Sequence, residues 1–168
     1  MSQAVPLILE VECTATQEEV ERNLEATLAR GYTPFMPHVG QYAGKLSICG
    51  SGPSLAKLDE LTGDVLALNG ALKFLLDHEV VPRHAMFWDA DPVVAEFAIP
   101  HPGITYFVAS RCDPAVFDRL KDCRVVVWHA GGDHKIEDFL TRRQIDEPMV
   151  LGGTPAVPRG IYLAFALG

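Results

Sequence analysis

Five short stretches hold the residues best suited to chemistry. The first is Gly50-Ser51-Gly52-Pro53-Ser54-Leu55. Two glycines let a backbone turn tightly and approach a ligand, and the start of a helix offers amides to a phosphate. Pro53 lacks an amide and fits a first helical position, while Ser54 adds a hydroxyl. No GK[ST] follows, so this is not a P-loop, and Leu55 stands where the dinucleotide fingerprint has its third glycine. A sharp strand-to-helix turn without a ligand is the plain alternative. The second is Asn69, whose amide both donates and accepts and so suits a ribose or a base edge. Asn69-Gly70 is equally a common turn pair.

Asp89 and Asp91 form the third candidate. Two neighbouring carboxylates are suited to Mg²⁺ bridging to a di- or triphosphate. Asp91-Pro92 also reads as a helix start, with Asp91 as cap, and Asp113-Pro114 repeats that pattern. Fourth, His129 precedes Ala130-Gly131-Gly132-Asp133-His134 and is the candidate catalytic base, because an imidazole titrates near neutrality. A loop histidine bonded to backbone is the alternative. His38, His78, His84 and His101 are scattered and read as surface or structural. Fifth, Gly152-Gly153-Thr154 offers another close backbone approach to a nucleotide or phosphate. Arg111 and Arg159 are the cations nearest these stretches, and either is suited to neutralising phosphate.

The elements that must position them follow from periodicity. Thr16-Gln17-Glu18-Glu19 is a capping box. Val20, Leu24, Thr27 and Leu28 fall on one helical stripe, and Gly31 stands where a left-handed terminator is wanted. Residues 32–44 read as a connecting loop. Short apolar runs then begin at Leu46, Val65, Ala85, Ile104, Val125 and Met149. Helix-like stretches lie at 55–61, 71–79, 114–121, 136–143 and 159–167. Near-continuous apolar strands alternating with helices predict an α/β fold: a three-layer, Rossmann-like, mostly parallel sheet with helices on both faces, preceded by an N-terminal helix. The expected division is a helix and loop over 1–44 and the sheet domain over 45–168. Every one of the five stretches follows a strand, and open parallel sheets bind ligands beyond their carboxyl ends.

Composition narrows the functions. The chain has 168 residues, 48% hydrophobic, with a formal charge of −8. That balance repels phosphate backbones and anionic membranes, so neither nucleic acid nor a membrane is an expected partner. The expected partner is a small nucleotide substrate, and a homo-oligomer stays open. Residues 1–6 lack a basic stretch, and Glu10 and Glu12 interrupt the apolar run after them, so no signal peptide is read and a cytoplasmic location is expected. Cys13, Cys49, Cys112 and Cys123 show no metal-type spacing and read as reduced thiols, although their even number permits two disulfides.

Taken together, Cys49 to Leu55, Ala67-Leu68-Asn69-Gly70-Ala71, the Asp89/Asp91 tip, Trp128-His129-Ala130-Gly131-Gly132 and Gly152-Gly153-Thr154 resemble the 6-hydroxymethylpterin diphosphokinase MptE-like family. That family includes the motility accessory factors linked to flagellin glycosylation. The G-x-G-P-S-L turn is also similar to that of bacterial sialyltransferases using CMP-sugars. The resemblance implies a Rossmann-like nucleotide-dependent transferase, with ATP and Mg²⁺ for diphosphate transfer or a nucleotide-sugar for glycosyl transfer. A nucleotide-binding module without catalysis is the third reading. By the resemblance, Gly50, Ser51, Gly52, Pro53 and Ser54 face phosphates, Asn69 the nucleoside, and Asp89 and Asp91 the metal. Pro155 departs from the family's small or branched residue. Family members continue past the position of Gly168 into a strand ending in a Gly-x-Asp turn, so 45–168 is read as that domain short of its C-terminal end.

Overall fold

The computed structural model describes residues 15–41, 44–153 and 155–168. Helix α1, Gln17–Ala29, opens with the capping box: the Glu19 amide donates to Thr16 Oγ1 at 3.2 Å, and the Thr16 amide donates to Glu19 Oε2 at 2.8 Å. Val20, Leu24 and Thr27 form its buried stripe, and Gly31 follows with φ +64°. Strand β1, Thr33–Pro34, lies inside the stretch expected to be loop. It is too short to show a period, and its pairing partner lies far along the chain.

The remaining strands are β2 (Leu46–Cys49), β3 (Asp64–Leu68), β4 (His84–Phe87), β5 (Thr105–Ala109), β6 (Arg124–Ala130) and β7 (Met149–Val150). They form one parallel sheet in the order β1-β6-β5-β4-β3-β2, and β7 pairs with the end of β6. β1 meets β6 at Val126 and Val127, and β7 meets it at His129 and Ala130. The central strands β3, β4 and β5 are almost wholly buried, which is why they read as unbroken apolar runs.

Helices α2 (Ala71–Asp77), α3 (Pro114–Arg119) and α4 (His134–Arg142) join α1 on one face of the sheet. The Asn23 and Thr27 side chains of α1 donate to the carbonyls of Arg111 and Ser110, both at 3.0 Å, and so bind the tip of β5. Helix α5, Ala156–Leu167, crosses the other face and packs on β2 and β3. The three-layer arrangement with helices on both faces is therefore present. The expected helix over 55–61 is instead two 3₁₀ turns, Pro53–Ala56 and Leu58–Glu60, broken at Lys57, which has φ −89° and ψ 64°. Pro92–Phe97 is likewise 3₁₀. Among the described cysteines Cys49, Cys112 and Cys123 are free thiols. Cys13 lies outside the described residues. No helix among the described residues is long and apolar enough to cross a membrane.

Candidate functional site

Because β2, β3 and β4 are adjacent and parallel, their carboxyl tips lie side by side at about 5 Å spacing. Gly50, Asn69 and Asp89 stand one or two residues beyond those tips. The contact is direct between the first two: a Cβ built on Gly70 would lie 3.2 Å from Ser51 Oγ. The start of α5 joins them, because a Cβ on Gly50 would lie 3.0 Å from Val157 Cγ2. On the other flank Gly152 lies against Arg159, whose Cα would be 3.1 Å from an added Cβ. The loop over 50–54, the Asn69-Gly70 turn, the first turn of α5 and Gly152 are thus contiguous. Thr154 lies outside the described residues.

Ser51, Gly52, Pro53 and Ser54 are exposed. The 3₁₀ turn that follows is four residues long, too short for an aligned macrodipole. The helix-dipole part of the phosphate expectation is therefore corrected, and backbone amides and the Ser51 and Ser54 hydroxyls are what this loop offers. Asn69 adopts φ +46°. Its backbone N–H donates to the Met86 carbonyl at 2.9 Å, and its side-chain Oδ1 is buried with no hydrogen-bond partner. A buried acceptor without a donor costs about 1–3 kcal/mol, and a ligand donor relieves that cost.

Asp91 takes the capping role: its Oδ1 accepts from the Val93 amide at 2.9 Å. Asp89 Oδ1 faces the Asp91 amide at 3.4 Å. No group of three or more metal-ligating side chains occurs among the described residues. Asp91 Oδ1 is taken up by the cap, so the oxygens the pair has left for a cation are Asp91 Oδ2 and the Asp89 carboxylate, and no step is routed through a metal here.

His129 faces away from these groups. Strand alternation puts Val127 and His129 toward α1 and Trp128 toward α5. His129 is 1% exposed. Its Nδ1 lies 2.8 Å from Ser110 Oγ and its Nε2 3.1 Å from Glu147 Oε2. A neutral imidazole satisfies both, accepting from the serine hydroxyl and donating to the carboxylate. The expectation of His129 as a base is corrected on this ground: it stands near the carboxyl end of β6, but the ring is buried and both nitrogens are engaged within the protein, so it offers a ligand no free base. The Tyr32 hydroxyl donates to the same carboxylate at 3.2 Å, and burial with the Glu147 charge pushes its pKa up to about 12. This network ties the exit of α1 to β6 and is structural.

Burial lowers the pKa of His129 despite Glu147, and burial followed by the Arg83 charge lowers that of His84. Unfolding restores a value near 6.5. The unfolded chain therefore binds more protons below that pH, and stability is lost as pH falls toward the folded values. Calorimetry is expected to show Tm dropping between about pH 7.5 and 5.5, before most carboxylates titrate. A flat Tm over that window contradicts the assignment of buried, neutral histidines.

Two cavities bear on where a ligand binds. One of about 180 Å³ lies beside the carboxyl tips, lined by Ala15, Glu19, Arg22, Ala90, Asp91, Pro92 and Asp113. A larger one, about 650 Å³, lies near the amino end of β6 between Arg30, Tyr32, Phe117, Leu120 and Val125. Volume favours the second, but Arg30 there is already paired with Asp118 at 2.8 Å. The partnerless Asn69 oxygen and the open loop lie at the carboxyl tips, where sheets of this type bind ligands. The chemistry therefore outweighs the volume.

The sequence did not single out Trp88. Its ring carries two guanidiniums, Arg111 at 4.8 Å and Arg159 at 4.3 Å from the ring centroid. An aromatic residue directly before the Asp89 tip was the only signal.

No family model matches the chain, and no curated protein matches it in sequence. Its fold is similar to that of a MAf glycosyltransferase from Magnetospirillum magneticum AMB-1, with a TM-score of 0.65 and 19% identity. The match covers 94% of this chain but spans only 27% of that enzyme. The likeness is one of fold: a mostly parallel α/β sheet of Rossmann type.

Proposed function

We infer that the carboxyl edge binds a nucleotide and serves a transferase, with a nucleotide-sugar as the donor. The observation that carries this is the buried, partnerless Oδ1 of Asn69 beside the exposed loop of residues 50–54. A ribose hydroxyl or a base N–H supplies the missing donor, while loop amides and serine hydroxyls meet the phosphate. The glycosyl reading is favoured over diphosphate transfer because Asp91 is engaged as a cap. The glycosyltransferase name of the structural neighbour supports the same choice. Diphosphate transfer from ATP would need Mg²⁺ held chiefly by Asp89 and the nucleotide itself.

Calorimetric titration with CMP, UDP and ATP, each with and without Mg²⁺, separates these readings. Binding of CMP or UDP without metal is expected. Binding of ATP only with Mg²⁺ favours diphosphate transfer instead, and no binding of any nucleotide at millimolar concentration overturns the proposal. Asn69→Gly removes the amide while tolerating the positive φ. It is expected to raise the nucleotide Kd about tenfold with Tm nearly unchanged, the equivalent of one lost hydrogen bond to a buried group. An unchanged Kd removes Asn69 from the site.

A further inference from the structure

The carboxyl edge holds a second group of polar atoms that lack partners. Arg159 is 3% exposed, and its Nη1 donates to the carbonyls of Gly131 at 3.1 Å and Val150 at 3.0 Å. Both partners are neutral, and its Nε is buried with no acceptor. Trp128 is fully buried and stacks on Trp88 with centroids 6.5 Å apart, and its Nε1 also lacks an acceptor. Arg111, on the same Trp88 ring, donates to Asp133 Oδ2 at 2.7 Å. The Arg159 charge therefore has no carboxylate bonded to it among the described residues. A buried cation hydrogen-bonded only to neutral groups, with Asp133 acting on it through space alone, is unfavourable, and a bound anion offsets that.

The surroundings suit an anion from outside. α5 is twelve residues long, and its cap, Pro155, supplies no side-chain hydrogen bond. Its two opening amides, those of Ala156 and Val157 (Pro155 and Pro158 have none), lie between the Gly50 and Gly152 loops described above. Gly153, Pro155 and Val157 are exposed, which leaves an approach from solvent. Helix dipole, unpaired donors and a guanidinium then favour the same negative charge.

We propose that Arg159, supported by Arg111 across Trp88, and the opening amides of α5 form the anion-binding end of the site and receive the phosphate of the nucleotide. This rests on the nucleotide reading above. Asn69 then holds the nucleoside side, and the loop over 50–54, which meets Val157 at Gly50, shares the phosphate with the start of α5. Arg159 acts by binding and no covalent step is assigned to it.

The test uses inorganic pyrophosphate, CMP and cytidine on the full chain and on Arg159→Gln and Arg159→Lys. Pyrophosphate is expected to raise the Tm of the parent protein. Arg159→Gln is expected to abolish that rise and to weaken CMP about tenfold or more while leaving cytidine unchanged, and Arg159→Lys to retain part of both effects. A variant that lowers the basal Tm yet keeps the full pyrophosphate response and CMP affinity makes Arg159 a tether for Gly131 and Val150, and overturns the proposal. Should Arg159→Gln fail to fold, tryptophan fluorescence still decides. Pyrophosphate must change the fluorescence of Trp88 in a Trp128→Phe background, and no change overturns the assignment. CMP binding without any response to pyrophosphate refutes this anion site while leaving the nucleotide reading intact; failure of both ligands refutes both.

Discussion

Trp128→Ala is expected to cost about 3–5 kcal/mol, or roughly 10 °C in Tm. The side chain is fully buried on β6 and stacks on Trp88. Its removal leaves a void under the ring that carries Arg111 and Arg159, so the loss reaches the site as well as the core. Trp128→Phe is expected to lose less, because the unpaired Nε1 goes with the smaller ring. Urea unfolding followed by circular dichroism gives both values. The chain has two tryptophans, so in either variant Trp88 is the remaining reporter of the site. A loss below about 1 kcal/mol for the alanine variant would show that the α5 face of the sheet is not packed as described.

Gly63→Ala is expected to cost about 3 kcal/mol or more. Gly63 has φ +71°, and a Cβ there would overlap the Lys45 carbonyl oxygen and lie 2.7 Å from its carbonyl carbon. Those are backbone atoms, so no rotamer change relieves the clash. The same carbonyl accepts the Asp64 amide at 3.0 Å and opens the β2–β3 ladder. Displacing it loosens β2, the edge strand that ends at Gly50. Gly31→Ala is the control: φ is +64° but nothing lies within 4 Å of the added carbon, so only the backbone strain of about 1 kcal/mol remains. Equal losses at the two glycines would mean that Gly63 does not touch Lys45. The expected signature is a lower urea midpoint with an unchanged slope, and faster amide exchange along β2.

Some of this protein was determined by local sequence. Strands buried on both faces must be apolar throughout, so β3 to β5 were visible as runs such as Val65-Leu66-Ala67-Leu68, and the less buried β2 and β6 kept shorter apolar runs. Caps are local hydrogen bonds, so Thr16 with Glu19, and Asp91 as a helix-start cap, were readable without a fold. Placing the candidate ligand residues at one edge needed only strand direction and βα alternation. The tertiary structure decided the rest, because those outcomes depend on which distant segments meet. β1 exists only through its pairing with Val126 and Val127. A strand period of two separates His129 from Trp128 but does not say which faces α1 and which faces α5; packing decided that, and it sent His129 into a buried network. The meeting of Arg111 and Arg159 on one indole joins a β5 tip to a helix on the opposite face. No spacing along the chain encodes that contact, because it is set by how α5 crosses the sheet.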